Sequence, residues 1–221
     1  MFKKEKISAS VIKRLPRYYR FLGELQAQGV QRISSKELAQ KMQTTASQVR
    51  QDFNCFGGFG QQGFGYNVRQ LYAEIEQILG LNHRYKTILI GAGNLGRAVA
   101  LHMNFEERGF ELTAVFDKNP FLKGQTIRGI TIQSDDKIEE FCAENQVKVA
   151  ILCIPKISVE KIAERLYRLG IKCYWNFSHY DLSAKYNDVV VQNVHMSDSL
   201  MILCYKISDA EVMCSDEKKS E

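Results

Sequence analysis

"KTILIGAGNLGRAVA", residues 86–100, decides the fold. A short apolar run, residues 87–90, leads into Gly91-Ala92-Gly93-Asn94-Leu95-Gly96, and a helix-forming stretch follows at once. Strand, G-x-G-x-x-G and helix in that order are what a dinucleotide-binding βαβ unit requires. Gly91 allows the tight turn, Gly93 lets backbone approach a pyrophosphate, and Gly96 lets helix and strand pack closely. The helix N-terminus supplies free N–H groups and the positive end of its dipole. Asp117 lies 21 residues beyond Gly96, at the end of the next apolar run, "ELTAVFD". There it can accept hydrogen bonds from both adenosine ribose hydroxyls, and its charge opposes a 2′-phosphate. NAD(H) is therefore expected rather than NADP(H), held by residues 91–96, Asp117 and the adjacent Lys118.

The C-terminal direction continues the alternation. "GITIQ", "KVAILCIP", "IKCYWNF" and "DVVVQNV" read as strands; "DDKIEEFCAEN" and "SVEKIAERLYRLG" read as helices, with a last helix from Ser197. Such alternation predicts an α/β fold, a doubly wound parallel sheet of Rossmann type covered on both faces. Pro155 and Asn176 then fall at C-terminal ends of strands, where open α/β sheets hold ligands, and both join the cofactor set.

Towards the N-terminus the same spelling recurs. Gly58-Phe59-Gly60-Gln61-Gln62-Gly63 sits within "FGGFGQQGFGY", residues 56–66. A helix precedes this one, not a strand, and its glycines alternate with aromatics around a polar centre. That composition suits a sharply twisted β-hairpin. Before it, "RLPRYYRFLGELQAQG" has helical apolar spacing (Leu15, Tyr18, Tyr19, Leu22, Leu25), with Pro16 expected in its first turn and Gly29 as its stop. "ISSKELAQKM", capped by Ser34 or Ser35, and "TTASQVRQDF", capped by Thr44 or Thr45, form two short helices separated by a few residues. Helix-turn-helix followed by a hairpin is a winged helix. Thr45, Ser47, Gln48, Arg50 and Gln51 on the second helix are of the types that reach base edges and phosphates. Arg14, Arg32, Ser35 and Lys36 are expected on the same DNA-facing surface, as are Gly60, Gln61 and Gln62 of the wing.

Charge supports a polyanionic partner. Residues 1–50 carry eleven Lys/Arg against Glu5, Glu24 and Glu37, a net +8 in a chain whose total is +5. The remainder is therefore slightly acidic. With 221 residues, 45% of them hydrophobic, the chain can form two modest domains. The boundary is set in the polar stretch "LNHRYK": residues 1–82 as the winged helix, 83–208 as the nucleotide-binding and dimerisation domain, and 209–221 as a charged tail expected to be disordered. No run reaches the roughly 18 apolar residues of a membrane span, and the basic N-terminus lacks the apolar core of a secretory signal. A cytoplasmic protein is expected. Six cysteines stand singly, without a C-x-x-C pair, so reduced thiols are expected and no metal site is read.

The motifs "RLPRYYRFL", "GVQRISSKELA", "QVRQDFNCFGGFGQQGFGYNV", "IGAGNLGRA", "FDKNP", "NFS" and "NVHMSDSL" resemble the Rex family of redox-sensing transcriptional repressors. The resemblance implies a homodimer on a palindromic operator, released when NADH binds. It also implies a C-terminal helix, about residues 197–207, exchanged between subunits. The chain departs from the family at three places. "NFSHY" puts Ser178 and His179 where Ala-Pro is usual. His102 stands in place of a common tyrosine. His195 replaces an acidic residue that pairs with an arginine matching Arg20, with Asp198 as a candidate substitute. A rival reading makes the chain an NAD-dependent dehydrogenase with His179 as acid/base, but no substrate-anchoring arginine or second catalytic group accompanies it, so no catalytic residue is assigned.

Overall fold

A computed structural model describes residues 7–57, 60, 61 and 64–217, without the side chains of residues 60, 61 and 212–217. The chain divides into two compact units. The first runs to His83 and takes in residues 107–109; the second comprises Arg84–Glu106 and the chain from Phe110.

In the first unit, α1 (Ala9–Ala27) begins earlier than the sequence reading placed it. Pro16 therefore lies inside the helix, not in its first turn, and cannot donate to the carbonyl four residues back. An interior proline costs about 3 kcal/mol. The early start brings a cap, the Ser8 side chain accepting from Val11 N–H, and adds Val11 to the buried stripe Leu15, Tyr18, Leu22 and Leu25. Five buried side chains at about 1.5–3 kcal/mol each outweigh the lost bond.

β1 (Arg32–Ile33) leads to α2 (Ser35–Met42), where Ser34 is the cap that closes a reciprocal box with Glu37. Thr45 caps α3 (Ala46–Asn54) by accepting from Gln48 N–H at 3.1 Å. β2 (Gly60–Gln61) and β3 (Gly65–Asn67) follow, then α4 (Val68–Leu79). The three strands make an antiparallel sheet in the order β1-β3-β2, with Ile33 and Gly60 both opposite Tyr66. Gly65 has φ +68°, and a Cβ there would lie 2.6 Å from the Ile33 carbonyl oxygen, so only glycine fits this crossing. Tyr18 packs tilted against Phe53 at 4.9 Å, and Phe53 meets Tyr66 edge-to-face at 5.0 Å between ring centroids, which makes Tyr18 a core residue.

The second unit contains a seven-stranded sheet. Its elements are β4 (Tyr85–Ile90), α5 (Asn94–His102), β5 (Phe110–Asp117), β6 (Thr126–Ile127), β7 (Ile130–Ser134), α6 (Ile138–Glu144), β8 (Val149–Leu152), α7 (Lys156–Arg168), β9 (Cys173–Asn176), α8 (Leu182–Lys185), β10 (Val190–Asn193) and α9 (Met196–Glu217). Strand order is β10-β9-β8-β4-β5-β7-β6, parallel throughout except for the antiparallel edge strand β6. Side chains alternate along β4, as period two demands: Ile88 and Ile90 join one buried cluster and Leu89 the other. From β4 the chain fills one side, β5, then the edge strand β6 and back to β7 between them, then crosses to β8 and works outward on the other side. The switch point, and hence a crevice, lies at the C-terminal ends of β4 and β8.

Helix α9 runs well past residue 208, so residues 209–217 are helical, contrary to the disorder expected there. Each further residue adds a backbone hydrogen bond once a helix is nucleated. Residues 218–221 lie outside the described residues. No helix among those described is long and apolar enough to cross a membrane.

Candidate nucleotide-binding crevice and nucleic-acid surface

The turn after β4 is held from three sides. Gly91 N–H donates to the Phe116 carbonyl at 2.8 Å, tying the loop to β5. Gly91 has φ +99°, and a Cβ on it would stand 2.5 Å from the Cys153 carbonyl oxygen. One on Gly96 would stand 1.8 Å from the carbonyl oxygen of Gly91. Both glycines therefore serve close packing. Gly93 differs: a Cβ there meets nothing within 4 Å, so the space above it is open. No side chain caps α5, whose first N–H groups and dipole face that opening. Such a cradle fits the pyrophosphate of a dinucleotide. Asn94 and Lys118 are exposed, and Leu95 is half-buried against the core.

Asp117 stands beside this opening at the end of β5. One carboxylate oxygen accepts Ala92 N–H at 2.6 Å and the other accepts Asn119 N–H at 2.7 Å. The carboxylate is thereby oriented, while each oxygen keeps a lone pair for a ribose hydroxyl. Cys153 is an inert neighbour, because burial pushes its thiol up to about 12.

On the other half of the crevice Pro155 is exposed at the cap of α7. Asn176 behaves differently from the expectation. It is fully buried, and its amide donates to the Tyr180 carbonyl and to Asn193 Oδ1 while accepting from Ser178 N–H and Oγ–H. With both donors and both lone pairs engaged, its side chain has nothing left for a ligand; it fixes the loop that follows β9. Asn193, opposite Asn176 in the β9–β10 register, went unnoticed in the sequence. Asparagine ending two successive strand-like runs was the available signal, since strands disfavour it. Beyond these, the rings of His179 and His195 lie 5.0 Å apart, and His195 Nδ1 is 3.6 Å from Asp198 Oδ2. Trp175 packs on Phe177.

In the first unit, Thr45 is exposed at the cap of α3, Ser47, Arg50 and Gln51 are exposed on α3, and Lys36 is exposed on α2. Arg50 donates to Ser35 Oγ at 3.2 Å, which joins the two helices at one surface. Arg32 donates to the Phe64 carbonyl at 3.1 Å with its guanidinium 5.9 Å from the Phe64 ring centroid, bracing the start of β3. Gly60 and Gln61 are placed by backbone pairing alone, and Gln62 lies outside the described residues. Arg14 is engaged internally: Nε and Nη2 donate to the two oxygens of Asp52 at 2.7 and 2.6 Å. Gln48 also donates to Asp52. Asp52 was not singled out in the sequence, although an acid beside the buried Phe53 on an otherwise basic helix marks it.

Residues 6–54 match the family described as "Putative DNA-binding protein N-terminus", and residues 82–180 match "CoA binding domain". The chain is 52% identical over 212 residues to the "Redox-sensing transcriptional repressor Rex" of Thermoanaerobacter pseudethanolicus, covering 96% of this chain and 94% of that one. The chain belongs to the Rex family. The Rex protein of Clostridium perfringens is 49% identical, over 96% of this chain and all of its own. Two solved Rex structures agree in fold. RSP in complex with beta-NAD+ and operator DNA superposes with a TM-score of 0.85 at 49% identity, covering 99% of this chain and 100% of that one. RSP in complex with beta-NADH does so at 0.86 and 48%, over 96% and 99%. A Rex chain is a transcriptional regulator, and the winged-helix and Rossmann units described above are its two parts.

Proposed function

We propose that this protein represses transcription by binding a palindromic operator as a homodimer, and that NADH binding to its Rossmann units releases the DNA. The observation that carries the reading is the open cradle over Gly93, with an oriented Asp117 beside it, in a chain that also carries a capped α3 with exposed Ser47, Arg50 and Gln51. Its support from relatives is that RSP, alike over nearly the whole chain, has been captured with both nucleotides and with operator DNA.

In this reading residues 1–82 bind DNA, and residues 83–208 bind NAD(H) and dimerise through an exchanged α9. Arg50, Lys36 and the Ser35 hydroxyl contact phosphates, while Ser47, Gln48 and Gln51 face bases, with the wing alongside. The N–H groups of α5 hold the pyrophosphate, Asp117 the adenosine ribose, and the loops near Pro155 and His179 the nicotinamide. The bound nucleotide supplies only its redox state, read as the charge and planarity of that ring. NADH can empty the operator only by binding the DNA-incompetent dimer more tightly. A shift from 1:99 to 99:1 needs about 5.5 kcal/mol of such preference. The protein acts in the cytoplasm and catalyses no reaction. An operator mobility shift with and without NADH, run beside an NADH turnover assay, tests all of this. Turnover without an NADH-sensitive shift would make the protein a dehydrogenase instead.

A further inference from the structure

Asp52 is the one fully buried carboxylate among the described residues. Four donors reach it: Arg14 Nε at 2.7 Å, Arg14 Nη2 at 2.6 Å, Tyr18 Oη at 3.0 Å and Gln48 Nε2 at 2.8 Å. Two fall on each oxygen, so the carboxylate is saturated. For stability alone such a cluster has no special merit, because apolar groups of the same volume serve as well as a buried ion pair. What an ionised carboxylate adds is one-sided chemistry. It accepts and never donates.

That one-sidedness acts on Gln48, one turn before Asp52 on α3. A glutamine amide has two nearly isosteric ends, and a neutral partner could receive either. Against Asp52 only the NH₂ end can point inward. One of its N–H bonds is then occupied, which leaves the amide oxygen and the second N–H as a fixed acceptor–donor pair on a half-exposed side chain. This pair is the complement of adenine N6–H and N7 in the major groove.

We infer that Asp52 is a positioning residue for operator reading, which sets the orientation of Gln48 so that α3 selects an adenine at one position of each half-site. The inference rests on the proposed role of α3 as the recognition helix. Arg14, the other end of the same clamp, keeps the pair neutral and is held by the protein, not by a phosphate.

The substitution Asp52→Asn keeps the shape, removes the acceptor-only character and adds one positive charge per subunit. The experiment selects duplexes from a random library with the wild type and with D52N, then measures affinities for the selected operator, for an operator with the read A·T pair changed to G·C, and for unrelated DNA across a salt series. The expected result is that D52N binds unrelated DNA at least as well as the wild type, with no smaller salt dependence. Its preference for A·T over G·C at that position should fall about tenfold. Gln48→Ala should lose the same preference, and D52N with Q48A no more than either alone, because the two act as one unit. A merely structural carboxylate would instead lower affinity for all three duplexes in parallel, or add to Q48A, and either result overturns the inference. Should D52N not fold, as judged by circular dichroism, Q48A decides alone: unchanged preference at every half-site position overturns it. A wild type that selects no sequence removes the recognition role of α3 and this inference with it. A wild type and a D52N that select the same site equally well overturn this inference only.

Discussion

Gly93→Ala separates the fold from the cofactor site. Gly93 has φ −68° and ψ −170°, extended backbone open to any residue, and its added Cβ would meet no protein atom within 4 Å. The folded chain therefore accepts the methyl group, while the unfolded chain loses freedom, for a net stabilisation of about 0.4–1 kcal/mol. A pyrophosphate seated on the N–H groups of α5 does not accept it, because the methyl occupies the space through which backbone and phosphate approach. Hydrogen bonds to charged groups contribute about 1.5–3 kcal/mol each. Losing one or two costs about 3 kcal/mol, a weakening on the order of a hundredfold in NADH affinity.

Three measurements follow on one preparation: a thermal melt, an NADH titration by fluorescence, and an operator shift. G93A should melt at or slightly above the wild-type temperature and hold the operator normally. It should release it only at about a hundredfold more NADH. Gly96→Ala makes the contrast, because its Cβ would stand 1.8 Å from a backbone oxygen and should unfold the second unit. Wild-type NADH affinity in a folded G93A would refute the placement of the phosphates. A melting temperature lowered by several degrees would refute the claim that the space is empty.

Arg50→Ala should weaken binding to every duplex sequence alike and reduce the slope of log affinity against log salt by about one, measured by fluorescence anisotropy. Helix α9 exposes Leu200, Met201, Ile202, Leu203 and Tyr205, each more than half accessible in the single chain. Leu200→Asp with Leu203→Asp should convert the dimer to monomer in sedimentation velocity and abolish tight operator binding. Burial pushes the Asp52 carboxyl up, but hydrogen bonds from Arg14, Gln48 and Tyr18 and the Arg14 charge outweigh it and hold it below the ordinary range. A depressed folded value means that the unfolded chain takes up the proton first as pH falls. The stability Asp52 contributes is complete above about pH 4, its unfolded value, and is lost as pH falls through the folded one. Thermal melts between pH 7 and 3 should show the gap between wild type and D52N closing at the acid end.

Features set by neighbours in the chain are legible in the sequence. The strand–glycine–helix order, the cap of α3 at Thr45 and the stripes of α2 and α4 depend on residues within a few turns of one another, and Asp117 is found by its fixed spacing within one βαβ unit. What escapes depends on residues far apart. Asp52 meets Arg14 across 38 positions, and Asn176 meets Asn193 across 17. Neither pairing has a local pattern. Arg14 and Gln48 look like free DNA-facing groups because a sequence shows polar residues without their partners. Pro16 misleads for the opposite reason: a local rule about helix starts yields to the burial of an entire helix face.

The two glycine strings show how far spelling carries and where context must take over. Both read G-x-G-x-x-G, yet only residues 91–96 follow a strand and open a helix; there two glycines give close packing while the third leaves an opening. In the N-terminal string Gly60 belongs to β2, paired with Tyr66 of an antiparallel sheet. Among the described residues the next element after β2 is a strand, β3, not a helix terminus that would gather N–H groups onto an anion. A phosphate needs convergent donors and a positive dipole end, not glycine itself. Glycine only permits the backbone geometry, and the element that follows it decides whether that geometry holds a nucleotide or turns a hairpin.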